Sequence, residues 1–212
     1  VKIGINGFGR IGRSILRALL ENYKDKIQVV GINDLGSIET NAHLIKYDST
    51  HGTLPHDVST SKDGFKILNQ NIKVFAERDP ANLPWGKVGA DVVLECTGLF
   101  LNKETAGKHL KAGAKKVIIS APAKDVDFTI VQGVNSKELK KDHNVISNGS
   151  CTTNCLAPVA MVLENNFGIE YGYMTTIHSY TGDQKLLDTL HKDLRRARST
   201  EGAMIPTSTG AA

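Results

Sequence analysis

The sequence predicts an α/β fold with a doubly wound parallel sheet. Two observations predict it: short apolar runs alternate with helical segments, and the first run ends at a glycine-rich turn that leads into an amphipathic helix. Strands that alternate with helical crossovers form parallel sheets. The chain has 212 residues, of which 40% are hydrophobic and 23% charged, as in globular proteins. This length suffices for one domain and part of another.

The first predicted strand, VKIGIN, is apolar and rich in β-branched residues, and a glycine follows it. The next segment, GFGRIG, places Gly7, Gly9 and Gly12 in a G-x-G-x-x-G pattern, and an amphipathic helix is predicted over residues 11–23. Glycines allow the backbone to approach a pyrophosphate, and a helix N-terminus offers it free N–H groups. The pattern by itself is weak, because a structural turn can carry the same glycines.

The second predicted strand, residues 27–33, leads to Asp34, about 20 residues beyond the third glycine. A carboxylate there accepts hydrogen bonds from an adenosine ribose and repels a 2′-phosphate. With a strand before the glycines, a helix after them and this acid, the segment predicts a Rossmann unit that binds NAD rather than NADP.

The alternation continues towards residue 150. Further strands are predicted over residues 72–77, 91–98, 115–123, 129–135 and 143–148. A helix is predicted over residues 102–113, with Asn102 as its N-cap and Gly113 as its stop. Because ligands bind at the carboxyl ends of strands in such sheets, Thr97 and Ser120 are candidate cofactor contacts. Ordinary strand-end turns are the alternative interpretation.

The stretch SNGSCTTNCLAP, residues 147–158, contains two of the three cysteines. A metal site would need further soft ligands beside this C-x₃-C pair, so no metal is predicted. A disulfide across one helical turn has poor geometry. Cys151 lies where a predicted strand gives way to a helix, and the N–H groups at a helix start stabilise a thiolate. Cys151 is therefore the candidate nucleophile, and Cys155 is predicted to be a buried residue that packs in the core.

A nucleophilic thiol needs a base, and His178, on a predicted strand within residues 173–184, can supply one. A lone histidine on a strand is more often structural, so the spacing leaves both roles open. An odd number of cysteines without a disulfide framework indicates a reducing compartment, and we expect a cytoplasmic protein. The net charge of +4 is mild. The basic run at residues 191–199 lacks interleaved aromatic residues, which disfavours nucleic-acid binding.

Six segments together resemble the phosphorylating glyceraldehyde-3-phosphate dehydrogenase family: INGFGRIGR, ECTGLF, SAPAKDVDFTIVQGVN, SNGSCTTNCLAP, TTIHSYTGDQ and IPTSTGAA. The resemblance spans essentially the whole chain. It implies oxidation of glyceraldehyde 3-phosphate to 1,3-bisphosphoglycerate in glycolysis, with NAD as cofactor. A cysteine thiohemiacetal would lose hydride to NAD⁺, and inorganic phosphate would cleave the resulting thioester.

The resemblance also implies a role for each matching residue, with Cys151 as the nucleophile and His178 as the base. The implied dinucleotide contacts are Gly7, Gly9, Arg10, Ile11, Gly12, Asp34, Arg78, Thr97 and Ser120. The implied contacts to the substrate and phosphate anions are Ser150, Thr152, Thr181, Arg196, Thr209 and Gly210. Arg195 and Arg198 lie close enough to compete with Arg196 for its role.

The implied organisation is an NAD-binding domain over residues 1–150 and the N-terminal part of an α+β catalytic domain over residues 151–212. The chain would then stop inside the catalytic domain and would not be fully active alone. The implied partners are the substrate, inorganic phosphate and further copies of the protein in a homotetramer, without membrane or nucleic acid. Two departures from the family pattern are Gly149, usually alanine, and Thr189–Leu190, often Leu-Pro in NAD-specific members.

Two other functions remain open at this point. One is the paralogue that oxidises erythrose 4-phosphate, which the segments HSYTGDQ and TSTGAA match less well. The other is a module that binds nucleotide or RNA without catalysis. The presence of both Cys151 and His178 favours an enzyme.

Overall fold

Nine strands form one sheet within the first 150 residues of the chain. The structure is a computed structural model that describes residues 1–201 and 204–207. The chain divides into two units, residues 1–150 and residues 151–212. In the second unit, the described residues contain one long helix followed by irregular chain.

The strands are β1 Lys2–Asn6, β2 Gln28–Asn33, β3 Tyr47–Asp48, β4 Gly52–Thr53, β5 Val58–Ser61, β6 Gly64–Ile67, β7 Gln70–Phe75, β8 Val92–Glu95, β9 Lys116–Ile119, β10 Phe128–Thr129 and β11 Val145–Ser147. The helices are α1 Arg10–Asn22, α2 Ile38–Lys46, α3 Trp85–Val88, α4 Lys103–Ala106, α5 Lys108–Lys111 and α6 Cys151–Phe167. Short 3₁₀ turns cover Pro80–Asn82 and Ser136–Glu138.

The strand order in the sheet is β10-β11-β9-β8-β1-β2-β7-β6-β5. All neighbours from β10 to β7 are parallel, and β6 and β5 extend the sheet as antiparallel strands. From β1 the chain builds the sheet first towards β7 and then, from β8, in the other direction. The order therefore reverses between β1 and β8, and such a reversal opens a crevice at the carboxyl ends of the strands. The predicted doubly wound parallel sheet is confirmed.

Helix α1 covers the sheet with the face that carries Leu16 and Leu20. Leu16 and Leu20 are fully buried and pack in one cluster with Ile3, Ile5 and Val29 of the first two strands. Burial of leucine and isoleucine side chains of this kind contributes about 1.5–3 kcal/mol each. The packing of this apolar face against β1 and β2 thus stabilises the predicted helix, and the helix N-terminus lies at the end of β1.

Two glycines in the central strands make room for Trp85, which is fully buried. A Cβ atom on Gly4 would lie 2.6 Å from Trp85 Cζ3, and one on Gly31 would lie 3.2 Å from the same atom. The indole therefore packs directly on the backbone of β1 and β2. Glycine is required at these strand positions for packing, although it weakens a strand locally.

Two sequence predictions in this unit need correction. The predicted strand at residues 129–135 is strand only at its first residue, because the Asn135 side chain bonds both Val131 N, at 2.8 Å, and Thr129 O, at 3.0 Å, and folds the segment into a turn. The predicted helix at residues 102–113 is two short helices interrupted at Gly107.

The ends of that helical segment agree with the prediction. The Asn102 side chain accepts a hydrogen bond from Thr105 N at 2.8 Å, as an N-cap does. Gly113 has φ of +104°, the left-handed conformation that stops a helix.

The second unit begins with α6, which confirms the predicted helix that starts at Cys151. The predicted strand within residues 173–184 is wrong: none of these residues lies in a strand. A strand needs a hydrogen-bonded neighbour, and the described part of this unit contains no other strand to provide one. None of the helices in the described ranges combines the length and the hydropathy that crossing a bilayer requires.

We predict that Gly4→Ala destabilises the protein by about 1–3 kcal/mol, because the added methyl group overlaps the Trp85 ring in a closed core. Urea unfolding measures the effect. Gly86→Ala is the matched control, since its Cβ would meet its nearest neighbour, Gly113 Cα, at an ordinary 3.5 Å. Equal stability of the two variants would contradict the packing described for Trp85.

Candidate active site

The glycine turn between β1 and α1 packs against the end of β8. Gly7 has φ of +90°, and a Cβ atom there would lie 2.8 Å from Thr97 N. A Cβ atom on Gly12 would lie 2.3 Å from Gly7 O, so α1 packs directly on the turn. A Cβ atom on Gly9 would meet no heavy atom of the described residues within 4 Å. This open space beside the start of α1 fits the pyrophosphate of a dinucleotide.

Asp34 lies directly after β2 and faces the glycine turn. Its Oδ2 accepts a hydrogen bond from Phe8 N at 2.9 Å, and its Oδ1 accepts one from Gly36 N at 2.9 Å. The side chain is half-buried, so part of the carboxylate remains accessible. The structure thus brings the predicted ribose acceptor next to the predicted pyrophosphate site. An adenosine diphosphate moiety requires a ribose acceptor and a pyrophosphate site close together at the carboxyl ends of the strands.

Arg10 and Ile11, at the start of α1, are exposed. Arg10 forms an ion pair with Asp48, whose side chain is almost fully buried. The pKa of Asp48 is held well below its usual range, first by the His51 N–H group, then by Thr50 N–H and Arg10. Asp48 is therefore an ionised anchor that orients the Arg10 guanidinium beside the glycine turn.

The remaining predicted dinucleotide contacts follow other strands. Thr97 follows β8, and its N–H and hydroxyl groups both donate to Glu95 Oε1. Ser120 follows β9, where its hydroxyl interacts with the thiol of Cys96. Arg78 is exposed in the segment after β7. Since these strands are all parallel, every predicted dinucleotide contact lies on the side of the sheet where the strands have their carboxyl ends.

Cys151, the first residue of α6, contacts His178. Its Sγ atom lies 3.0 Å from His178 Nε2, although no strand positions the histidine. The other ring nitrogen, Nδ1, lies 2.6 Å from Ser179 O. A carbonyl oxygen can only accept, so Nδ1 carries the proton and donates it. In the neutral ring Nε2 is then an acceptor directed at the thiol, which is the arrangement of a base.

The environment of this pair favours its charged form. The pKa of Cys151 is lowered, first by the hydrogen bond to His178 and then by the charge of His178 and the Thr152 N–H and hydroxyl groups, which outweigh partial burial. The pKa of His178 is raised, first by the Ser179 carbonyl and then by Cys151. Both shifts stabilise a thiolate–imidazolium pair.

The turn before α6 is tightly held within the first unit. Ser147 Oγ donates to Ala121 O at 2.7 Å and accepts from Gly149 N at 3.0 Å. Gly149 has φ of +65°, a conformation that L-residues rarely adopt. Glycine therefore suits this position of the turn, in which an alanine would be strained. The signal for this turn is the Asn148–Gly149 dipeptide.

The predicted anion-binding residues lie partly near Cys151. Ser150 precedes it, and Thr152 contacts its sulfur. Thr181 N donates to Gln184 Oε1 at 2.5 Å. Arg196 forms an ion pair with Asp183 and donates from Nε to Thr207 Oγ1 at 2.8 Å. Thr209 and Gly210 lie outside the described residues.

The prediction that Cys155 is buried is wrong, because it is exposed one turn beyond Cys151. Among the described residues of this unit, no element covers α6, and the helix has no buried residue. All three cysteines have free thiols. Burial raises the pKa of Cys96 to about 11, so this thiol differs sharply from that of Cys151.

Four polar residues that were not predicted from the sequence as part of the site are buried at these strand ends or beside them: Asn6, Asn33, Glu95 and His109. Two of them carried a signal: an asparagine ends both the first and the second predicted strand, directly before Gly7 and Asp34. Asparagine is depleted in strands, so a buried pair of this kind indicates hydrogen bonding rather than propensity.

Residues 1–103 match the family model described as glyceraldehyde 3-phosphate dehydrogenase, NAD binding domain. Residues 150–212 match the model of the C-terminal domain of the same family. Curated relatives named glyceraldehyde-3-phosphate dehydrogenase are 58% identical over 212 residues in Xanthobacter flavus, and 59% identical over 213 residues in both Zymomonas mobilis and Geobacillus stearothermophilus. Each comparison covers 100% of this chain and 63% of the relative, so the chain spans less than two thirds of their length.

A glycine turn with Asp34 beside it, a thiol in contact with an imidazole, and family matches at both ends of the chain lead to one assignment. The chain belongs to the glyceraldehyde-3-phosphate dehydrogenase family, and its residues 1–103 match the NAD-binding domain of that family.

Proposed function

We propose that the protein oxidises glyceraldehyde 3-phosphate with NAD and inorganic phosphate to 1,3-bisphosphoglycerate, the phosphorylating step of glycolysis. The observation that carries the proposal is the 3.0 Å contact between Cys151 Sγ and His178 Nε2, in a chain of this family. A thiol and a base at this distance can form a covalent intermediate with an aldehyde. We propose residues 1–150 as the nucleotide-binding domain and residues 151–212 as the N-terminal part of the catalytic domain.

The first step is addition of the Cys151 thiolate to the aldehyde carbon. His178 Nε2 takes the thiol proton and returns it to the aldehyde oxygen, so that a neutral thiohemiacetal forms. Bound NAD⁺ supplies the acceptor for the hydride that leaves this carbon. As the hydride leaves, neutral His178 Nε2 accepts the hydroxyl proton, and a thioester on Cys151 results. A phosphate oxygen then attacks the thioester carbon, and the thiolate departs with Thr152 as its hydrogen-bond donor.

The dinucleotide would be held at the carboxyl ends of the parallel strands described above. N–H groups at the start of α1 would donate to the pyrophosphate, because those of Gly7 and Phe8 already bond Asn33 O and Asp34, and Asp34 would also accept from the ribose. Arg10, Ile11, Arg78, Thr97 and Ser120 complete the proposed contacts. The fit rests on the open space at Gly9 and the accessible part of the Asp34 carboxylate.

The proposed contacts to the substrate and phosphate anions are Ser150, Thr152, Thr181, Arg196, Thr209 and Gly210. Arg196 fits this role because a guanidinium binds phosphate with two parallel hydrogen bonds. Asp183 already pairs with it, so an anion would share or replace that carboxylate. Since Arg195 pairs with Asp193 and Arg198 with Asp188, the basic run carries its own counter-charges, which disfavours the RNA-binding alternative.

We further propose a homotetramer and a cytoplasmic location for the whole protein. Large apolar side chains of the second unit are exposed, among them Phe167 at 83%, Tyr171 at 82% and Ile177 at 94%, and exposed apolar surface of this kind supports association. The proposed chemistry needs Cys151 as a reduced thiol, and the cytoplasm is a compartment that keeps thiols reduced.

The purified whole protein should form NADH from glyceraldehyde 3-phosphate and NAD in continuous turnover when phosphate is present, and only a single-turnover burst without it. Cys151→Ser should abolish turnover, and His178→Gln should lower kcat by about 10²–10⁴-fold. Cys155→Ser is the matched control and should keep its rate. Faster turnover of erythrose 4-phosphate would establish the paralogue's activity, and NAD binding without any oxidation would establish the non-catalytic alternative.

Cys151 should react with iodoacetamide much faster than Cys155 or Cys96 at neutral pH. Its lowered pKa increases the thiolate fraction below about pH 8.5, where an ordinary thiol is protonated. The rate should rise with pH through the lowered pKa, and His178→Ala should shift this profile to higher pH. Mass spectrometry of each cysteine measures the labelling, with exposed Cys155 as an internal reference. Equal rates for Cys151 and Cys155 would contradict the thiolate assignment.

Asp34→Asn should weaken NAD binding by about tenfold and raise the NADP:NAD preference, because it removes a charged acceptor for the ribose and the repulsion of a 2′-phosphate. Titration calorimetry with both nucleotides measures the ratio. Asp57→Asn is the control, since this carboxylate is on the surface and pairs only loosely with Lys46, at 3.7 Å. A wild type that prefers NADP would contradict the role given to Asp34.

A further inference from the structure

Four hydrogen bonds converge on the carboxylate of Glu95, which is only 1% exposed at the end of β8. Oε2 accepts from Asn6 Nδ2 at 2.6 Å and contacts His109 Nε2 at 2.9 Å. Oε1 accepts from Thr97 N at 2.8 Å and from the Thr97 hydroxyl. Only an ionised carboxylate offers acceptors to all of these donors. Glutamine at this position would place an amide N–H against other donors.

The donor role of His109 follows from its second contact. Trp85 Nε1 lies 2.9 Å from His109 Nδ1, and both side chains are fully buried. An indole N–H can only donate, so Nδ1 accepts and the ring proton sits on Nε2. Hydrogen bonds therefore run in one direction, from Trp85 to His109 to Glu95.

Asn6 extends the network to the two strands on its other side. Its Oδ1 accepts from Asn33 Nδ2 at 2.7 Å. Asn33 also bonds the backbone of Glu77, donating from Nδ2 to Glu77 O at 2.8 Å and accepting at Oδ1 from Glu77 N at 2.8 Å. One chain of side chains thus connects the carboxyl ends of β8, β1 and β2 with the segment after β7.

Every one of these connections lies beside a proposed dinucleotide contact. Asn6 precedes Gly7, Asn33 precedes Asp34, Glu77 precedes Arg78, and Thr97 itself is bonded to Glu95. We propose that Glu95 and His109 are positioning residues for the dinucleotide: their network sets the relative position of four strand ends, and through them the groups that hold pyrophosphate and ribose. This inference rests on the nucleotide site of the proposed function.

A role in core stability alone is the competing explanation, and it predicts a different result. A buried network that only stabilises the fold would affect NAD affinity no more than any other core change of equal cost. A network that positions the strand ends would affect NAD affinity even when the protein remains folded, because loss of geometry at the site weakens each contact there.

The test compares NAD affinities of folded variants by titration calorimetry. Glu95→Gln and His109→Leu should each raise the NAD Kd about tenfold or more, since each leaves buried donors or acceptors unpaired beside the site. His109→Gln should recover most of the affinity, because its amide supplies both a donor for Glu95 and an acceptor for Trp85. Ile67→Ala, in the antiparallel strand β6, is the control for a buried change away from the network, and its Kd should stay within about twofold of the wild type.

A second measurement uses the wild type and does not depend on any variant folding. Trp85 is the one tryptophan in the sequence, so its indole N–H gives one identifiable proton resonance. Coupling between sites is reciprocal, so NAD binding should slow hydrogen exchange at this indole N–H. An exchange rate unchanged by saturating NAD, or a Glu95→Gln Kd equal to that of Ile67→Ala, would overturn the proposal. Failure of the wild type to bind NAD would overturn the proposed function itself, together with this inference.

Discussion

The close approach of the glycine turn to the end of β8 is the constraint on which the proposed dinucleotide site depends. Any side chain at Gly7 would overlap the Thr97 backbone, and any at Gly12 would overlap the turn itself. With both positions open, α1 starts directly at the end of β1, where the strand order reverses. The proposed pyrophosphate site at the start of α1, the Asp34 carboxylate and the Thr97 backbone then lie around the same turn.

Buried polar groups connect the carboxyl ends of the central strands, although the interior of this parallel sheet is otherwise apolar. Glu95 would be costly to bury alone, and four donors compensate its charge. The cost of leaving any of those donors unpaired makes the arrangement specific: it accepts one register of β1, β2 and β8. Asn6 directly precedes Gly7, and Thr97 is itself proposed to contact the cofactor, which connects packing with binding.

The Cys151–His178 pair operates under different physical conditions. Both side chains are exposed within the described residues, so low dielectric contributes little to their coupling. Short-range hydrogen bonds shift the two pKa values instead: the imidazole and Thr152 act on the thiolate, and the Ser179 carbonyl acts on the imidazole. Because such bonds depend on direction and distance, the chemistry of this site depends on how well the chain around His178 is held.

The sequence by itself determined four features, because local periodicity and turn residues encode them. They are the doubly wound sheet, the glycine turn, the position of Asp34 directly after the second strand, and the helix that starts at Cys151. Only the tertiary structure decided that residues 130–135 leave the sheet, that Cys155 is exposed and that His178 reaches Cys151 without a strand. It also decided that Asn6, Asn33, Glu95 and His109 meet. These outcomes depend on partners distant in sequence: a strand forms only where a neighbour accepts its hydrogen bonds, and a buried polar group persists only where another element supplies its partner.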